Sequence, residues 1–489
     1  MESLPLICAR HVVAHDPLPK LPSNLYPVLF QAAFLDGRHQ VLQDLVTAWP
    51  SRVLNFQQLV GGRELLQDHP YDLCVQAVIL GVKAQLQREL KEPGHNSKLQ
   101  VLDMRGIPDS ASGRAPDGES VWSVTVALAE ACVEVSGHQR EFQSCGSMQH
   151  EGDSGAATAA AAPQPPRVDV HADLFINGTS YGILRDALQT AAAGPLRLKC
   201  HQFQAEELSE SQITSLLESM DPSCVRRVDL DCDNLGLAEL LVILPHLSRF
   251  PELRSLKLQD SYVDLRRPTR ESDTRIQRLA GQLGMLPRLQ ELSLGHSRLS
   301  GNLHQILGNL QAPLESLDLA FCFLVPADFA FLSQSIHAPA LKRLDLSCHN
   351  LSQGLLEPLR LLLEETSASL LYLNLTGCSM ADSHLDELLP TLRRCSRLRF
   401  LVLYSNPLSS AALQGTLELP DLRLVVYPFP VDCFKPEPEF GWGCEDPVDE
   451  ELLAAANAEF SRILANSGRT NLVWTYDPDG AEALDYFSL

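Results

Sequence analysis

LESLDLAFCFL (314–324) and LKRLDLSCHNL (341–351) decide the fold. Each fits L-x-x-L-x-L-x-x-N/C-x-L, the frame of a leucine-rich repeat, in which a short strand runs into a turn and then a helix. The frame, or a near variant, recurs in VRRVDLDCDNL from Val225, LRSLKLQDSYV from Leu253, LQELSLGHSRL from Leu289, LLYLNLTGCSM from Leu370 and LRFLVLYSNPL from Leu398. Successive starts lie 28, 36, 25, 27, 29 and 28 residues apart. All but one spacing falls in the long class of the roughly 20–29-residue repeat, where each strand is followed by a helix. Between them, LAELLVILPHLSRF (237–250) and HLDELLPTLRRC (384–395) carry apolar residues at helical spacing. The 36-residue gap holds VDLRRPTRESDTR (263–275), whose charge predicts a surface loop. The predicted fold class is α/β: a leucine-rich-repeat solenoid, a horseshoe of strand–helix repeats, with a helical N-terminal region.

Outward from the repeats, residues 1–98 read as helical. FQAAFLDGRHQVLQDLVTAW (30–49) and YDLCVQAVILGVKAQLQREL (71–90) both show the 3.6-residue period, and Pro93-Gly94 ends the second. Residues 99–143 read as a strand/helix cap or degenerate repeat: LQVLDMRGI (99–107) a strand, SASGRAPDGES (110–120) a polar loop, VWSVTVALAEACVEV (121–135) a helix. Residues 144–167 are Gly/Ala/Ser/Pro-rich with almost no large apolar side chains, so burial cannot offset their ordering entropy and a disordered spacer is predicted. Residues 168–222 read as degenerate repeats, through VDVHADLFI (168–176) and PLRLKCHQF (195–203). The repeats proper occupy 223–430, with LRLVVYPFP (422–430) as a closing half-repeat, and 431–489 form an acidic C-terminal cap.

Composition narrows the function. The net charge of -22 works against binding a nucleic-acid polyanion or an anionic membrane, both of which call for Lys and Arg. The acid cluster Glu437, Glu439, Glu445, Asp446, Asp449, Glu450 and Glu451 reads as a solubilising surface ahead of a contact for a basic partner. The 13 cysteines contain no C-x-x-C pair and no zinc spacing. Arg10 and His11 interrupt the apolar start, so no signal peptide is expected, and the apolar run Leu240–Leu244 stops at Pro245. A reducing compartment with free thiols is the expectation, cytoplasm ahead of nucleus, with the sequons at Asn177, Asn350 and Asn374 unused. No metal or other cofactor is expected.

Side chains alternate along a strand, so the residues between the leucines point to the concave face and stack in rows. One row is Arg227, Ser255, Glu291, Ser316, Arg343, Tyr372 and Phe400; the next is Asp229, Lys257, Ser293, Asp318, Asp345, Asn374 and Val402; the third is Asp231, Gln259, Gly295, Ala320, Ser347, Thr376 and Tyr404. Asp318, Asp345, Arg343, Tyr372, Phe400, Val402 and Tyr404 are the candidate partner-binding residues. Adjacent aromatics on rigid strands have interface chemistry. The competing reading is that the C-terminal segment, with Phe440, Trp442, Trp474, Tyr476 and Phe487, folds back over them. Cys232, Cys322, Cys348 and Cys378 fall at or beside the N/C position, where a small, weakly polar group fits inside the turn, so they read as structural.

Near the start, Ser3-Leu4-Pro5-Leu6-Ile7-Cys8-Ala9-Arg10-His11-Val12 reads S-L-x-x-x-C-x-x-x-V. Leu4, Cys8 and Val12 line one helical face, with Ser3 as N-cap and Pro5 in the first turn. This resembles the BC box, the short helix that substrate receptors insert into elongin C. Leu21-Pro22-Ser23-Asn24-Leu25-Tyr26-Pro27-Val28-Leu29 then resembles a cullin-2 box. The cullin-5 form carries a second proline where Asn24 stands. The bland reading is an amphipathic cap on the first repeat. With LPSNLYPVLFQAAFLDGR (21–38), LQVLDMRG (99–106), VVYPFPVDCF (425–434) and DYFSL (485–489), nearly the whole chain resembles the PRAME and leucine-rich-repeat-containing 14 group. That resemblance implies a substrate receptor of a cullin-2 ubiquitin ligase: Leu4, Cys8 and Val12 toward elongin B/C, Leu21, Pro22, Leu25 and Leu29 toward cullin-2, and an unknown protein target on the concave face.

The second reading is a ligase-independent adaptor that represses or scaffolds a signalling or transcription-regulating protein. An enzyme is the weakest, because no P-loop, G-x-S-x-G or H-E-x-x-H is present. The acidic pairs Glu206/Glu207 and Glu364/Glu365 read as solvated helix faces, and His296 and His349 as structural turn residues.

Overall fold

The computed structural model describes residues 3–14, 21–61, 71–91, 98–107, 109, 123–147, 167–191, 194–231, 235–258, 270–435, 448–469 and 471–476. Cys232, Gln259, most of the 263–275 insert, most of the 144–167 spacer, the acids from Glu437 to Asp446, and Phe440, Trp442 and Phe487 lie outside the described residues. The chain divides into two compact units, 1–229 and 230–489.

The first unit opens with helices α1 (Leu4–Val13), α2 (Tyr26–Leu35) and α3 (His39–Thr47). The expected single helix over 30–49 is thus two, because the chain turns at Asp36-Gly37-Arg38 with Gly37 at φ 63°. Strand β1 (Val53–Asn55) and helix α4 (Phe56–Val60) follow, then α5 (Asp72–Lys91), β2 (Val101–Asp103), α6 (Val124–Ser147), β3 (Val168–Ile176), α7 (Tyr181–Ala191), β4 (Leu196–Glu206) and α8 (Glu210–Ser219). Strands β1 to β4 pair in chain order, all parallel. The purely helical reading of 1–98 therefore needs correction: strand–helix alternation begins at Val53, in a strand too short to show a period. Edge-to-face contacts of Phe30 with Trp49 and Phe56, and of Phe34 with Phe56, fill the core here. The degenerate repeats at 168–206 are the longest strands, buried at alternate residues. Glu206 ends β4 and Glu207 has φ 54°, so this acidic pair is not helical as expected. Strand β5 (Arg227–Asp231) runs across the division.

In the second unit helix α9 (Leu237–Leu247) precedes β6 (Ser255–Lys257). Each later strand then alternates with a helix: α10 (Arg270–Leu283), β7 (Glu291–Ser293), α11 (Leu303–Leu307), β8 (Ser316–Asp318), α12 (Pro326–Gln334), β9 (Arg343–Asp345), α13 (Leu356–Thr366), β10 (Tyr372–Asn374), α14 (Asp382–Arg394), β11 (Phe400–Val402), α15 (Ser410–Thr416), β12 (Leu424–Val426), α16 (Glu450–Asn466) and β13 (Val473–Thr475). The 25-residue spacing holds the five-residue α11, so a short repeat shortens its helix and keeps its strand. Strands β6 to β13 are parallel and pair in chain order. The stack does not close at residue 430 as expected: α16 and β13 add one more strand–helix step, and β13 pairs with β12. Arg469, just past α16, donates to the carbonyls of Leu417, Leu419 and Leu422 and so ties this step to the preceding repeat.

The turn after each strand follows one rule. Ser297, Cys322, His349, Cys378 and Asn406 occupy the N/C position and are all buried. The residue before each has left-handed φ: His296 63°, Phe321 56°, Cys348 61°, Gly377 63° and Ser405 57°. The Cys322 thiol donates to the Leu294 carbonyl at 3.2 Å, the Cys378 thiol to Leu346 at 3.3 Å, and the Asn406 amide to Leu375 at 2.8 Å. Each reaches back to the last leucine of the preceding strand. Burial pushes the Cys322 thiol well up and Cys378 up to about 12, so both stay protonated donors. Cys348 corrects the expectation: it sits one place early and half-buried, and His349 fills the turn, its Nδ1 donating to the Leu346 carbonyl.

Asn406 also donates to the Leu403 carbonyl and accepts from the Met380 amide. Replacing it with alanine strands buried backbone groups, and about 3 kcal/mol of stability is expected to be lost. Cys378→Ser, which keeps a donor, is expected to cost less. Urea titration followed by circular dichroism checks the ranking.

Candidate functional site

The first candidate surface is the outer face of α1. Ser3 is extended before the helix and Pro5 lies in its first turn, where the missing N–H costs nothing. Ala9 and Val13 are buried, while Leu4 is 73% exposed, Ile7 50% exposed and Cys8 exposed; Val12 is half-buried. The helix is held by the Arg10 guanidinium, which lies 2.6–2.7 Å from the Asp36 carboxylate at the end of α2. Leu4 and Cys8 therefore share an open stripe, and Ile7 joins it, a residue the motif spacing does not pick out. Leu21 is half-buried, Pro22 exposed and Leu25 37% exposed. Leu29 is a correction. It is 2% exposed and packs in the core with Phe30, Ala33 and Phe34, because α2 turns that face inward.

The second candidate surface is the concave face of the second unit. The strand registers bear out the rows: Ser255, Glu291, Ser316, Arg343, Tyr372 and Phe400 are lateral neighbours, continued by Leu424 and Val473. Lys257, Ser293, Asp318, Asp345, Asn374 and Val402 form the next row, continued by Val426 and Thr475. What the sequence takes as exposed is mostly buried. Tyr372, Phe400, Val402 and Val426 make one packed cluster flanked by the half-buried Tyr404 and Leu424. The Arg343 guanidinium lies 5.0 Å from the Tyr372 ring centre, a cation–π contact.

Asp318 and Asp345 face each other across paired strands and are also buried. Asp318 accepts from the Ser293 hydroxyl at 2.7 Å. Asp345 accepts from the Ser347 amide and hydroxyl and from the Asn374 side-chain amide at 2.8 Å. Burial, together with the facing Asp318 carboxylate, raises Asp345 above its ordinary range despite these donors. The expected contact residues therefore form an internal polar ladder, not a row of free carboxylates.

Two features escaped the sequence reading. On β3 and β4, His171 Nδ1 and His201 Nε2 are 2.8 Å apart with stacked rings. Burial, then the nearby Arg105, His171 and Arg226, lowers His201 to about 4, and burial lowers His171 as well. On the turns after β7 and β8, Phe321 stacks on His296 with ring centres 4.5 Å apart, and Arg298 lies over Phe323 at 5.9 Å. Among the described residues no group of three or more His, Cys, Asp or Glu is placed to hold a metal ion, and no helix is long and apolar enough to cross a membrane.

Residues 193–478 match the family model of the PRAME C-terminal domain and residues 7–111 that of the PRAME N-terminal domain. Over the full length of both chains, the sequence is 45% identical to leucine-rich repeat-containing protein 14 of Xenopus laevis and 42% identical to that of Homo sapiens. It is 29% identical to human PRAME family member 12, over 89% of this chain and 85% of that one. Among solved structures, the leucine-rich repeat-containing protein LegL7 from Legionella pneumophila aligns at 18% identity with a TM-score of 0.35, covering 62% of this chain and 92% of that one.

The Asp318–Asp345 pair gives a signed pH dependence. A carboxyl whose folded pKa is raised stabilises the fold fully below its unfolded value and loses that contribution as pH rises through the folded one. Asp345 starts from an ordinary 3.8. The melting temperature of Asp345→Asn relative to the native chain is therefore expected to climb as pH rises from about 4 to about 7. A difference that stays constant across this range would place Asp345 at its ordinary value.

Proposed function

This chain belongs to the PRAME family, and we propose that within it the protein is a substrate-recognition subunit of an elongin B/C–cullin-2 ubiquitin ligase. In this reading the chain holds a protein target and contributes no chemistry of its own. The observation that carries it is the stripe of Leu4, Ile7 and Cys8, open to solvent on a helix whose other face is anchored by Ala9, Val13 and the Arg10–Asp36 pair. A surface leucine at this exposure forgoes about 2 kcal/mol of burial, which a partner's apolar pocket would supply. Leu21, Pro22 and Leu25 lie within a turn of α2 and serve the cullin contact in this reading; Leu29 supports them from the core. The leucine-rich repeats supply the target-holding surface.

Leu4→Ala/Cys8→Ala is expected to abolish co-purification of elongin B, elongin C and cullin-2 from cells while leaving the fold intact. Leu25→Ala is expected to weaken the cullin alone, whereas Leu29→Ala is expected to cost about 2–4 kcal/mol of stability. Unchanged elongin recovery with the double variant would make α1 a cap and leave the protein a ligase-independent adaptor.

A further inference from the structure

Helices α5 and α6 of the first unit leave a groove of about 440 Å³ between them. Gln76, Ile79 and Lys83 of α5 face Ala127, Glu130 and Glu134 of α6 across it, each set on one face by its three- and four-residue spacing. The two ends differ. At one, the Lys83 ammonium pairs with the Glu134 carboxylate. At the other, Asp109 accepts from the Ser123 hydroxyl and from the Val124 and Thr125 amides at the start of α6, and Asp72 stands in the first turn of α5. Burial and the Asp109 carboxylate raise Asp72 above its ordinary value, so among the described residues no cation offsets this end. Midway, Glu130 is exposed. Between the charges the groove is apolar: Ile79 and Ala131 are buried, and alanine on α6 leaves the space open. On the α5 rim Leu73 is 63% exposed and Leu80 38% exposed, two turns apart on regular helix where a polar side chain would fit.

We propose that this groove docks a cationic amphipathic helix of a partner protein, its aliphatic stripe laid along Leu73, Leu80 and the alanine floor and its Lys or Arg residues set against Glu130 and the Asp72–Asp109 end. The dimensions suit a helix. From Asp72 to Lys83 the groove runs about 16 Å, room for anchors at i, i+3 or i+4, and i+7. The charge selects its sign. Lys83, the cation in the lining, is taken up by Glu134, so Glu130 and the two aspartates are left to attract a basic partner and to repel an acidic one. The same acids disfavour an anionic membrane or a nucleic acid as the occupant.

Docking here goes beyond the ligase reading and rests on neither the α1 stripe nor the repeats of the second unit, so the two readings fail separately. A helix bound in this groove would lie on the helical side of the first unit's sheet and leave its strand face open.

The test uses the full chain and a fluorescein-labelled peptide of about 14 residues, with leucine at helical spacing and lysine elsewhere. Fluorescence anisotropy is expected to show binding, and hydrogen exchange is expected to slow in α5 and in the first half of α6. Leu73→Ser/Leu80→Ser, at exposed positions, is expected to weaken the peptide at least about tenfold without changing the circular dichroism, and Glu130→Lys by about tenfold. The same peptide with glutamate in place of lysine is expected not to bind. Absence of binding, slowed exchange only elsewhere on the chain, undiminished affinity in both variants, or equal binding of the glutamate peptide would each overturn the proposal. Slowed exchange in the groove that grows with protein concentration alone would overturn it too, by assigning the groove to a second copy.

Discussion

The hydrogen bond on which the second unit depends is the one from the turns after β8, β10 and β11 back to the preceding repeat. A parallel stack leaves the carbonyl of its last strand leucine pointing into a turn, where water is excluded. An unmet buried carbonyl costs about 1–3 kcal/mol. Cys322, Cys378 and Asn406 meet this demand with a thiol or an amide. The small side chain lets the next repeat approach closely, and the left-handed residue before it aims the donor. Two chemically different donors on one geometry, a thiol and an amide, explain why the position takes a small polar side chain and not an aliphatic one. Leucine burial supplies the bulk of the stability; the turn donor fixes how one repeat sits on the next.

That fixed step produces the concave rows. Once every strand advances by the same translation, residues at equivalent places must be neighbours whether or not their chemistry suits. Asp318 beside Asp345 is the unfavourable case, relieved by Ser293, Ser347 and Asn374 and by a raised Asp345. Tyr372 beside Phe400, with Arg343 over the tyrosine ring, is the favourable case. The polar ladder and the aromatic cluster are two products of one constraint, and they meet where Asn374 joins Asp345 to the Val402 row.

The repeats from Leu289 to Val426 were legible because leucine spacing is dictated by the core, and leucine supplies most of that core. Strand β1 was not: three residues, Val53–Asn55, carry too little pattern to interrupt a helical reading. His349 was rightly read as a structural turn residue; which of it and Cys348 fills the N/C position was not legible, because the turn selects by position and by donor and not by the consensus letter. Alternation anticipated that Tyr372 neighbours Phe400 and Asp318 neighbours Asp345, but the row a residue takes on a strand says nothing about how deeply it is buried. Leu29 failed for a related reason. A motif counts residues along the chain, while α2 turns that leucine to the core a turn after exposing Leu25.

Exposed apolar groups occur at both candidate regions, and they are not equivalent. Phe321 and Phe323 sit at φ 56° and 53°, where the left-handed turn throws their side chains outward. Their rings recover part of that exposure within the fold, by stacking on His296 and by lying under Arg298. Leu4 and Ile7 are under no such constraint: α1 is regular helix there, and any polar residue would fit. Aliphatic side chains have neither a π face nor a polar tip with which to settle in water. Two of them, one turn apart beside a thiol on a pinned helix, are better explained by a surface that spends part of its life covered than by the needs of the fold.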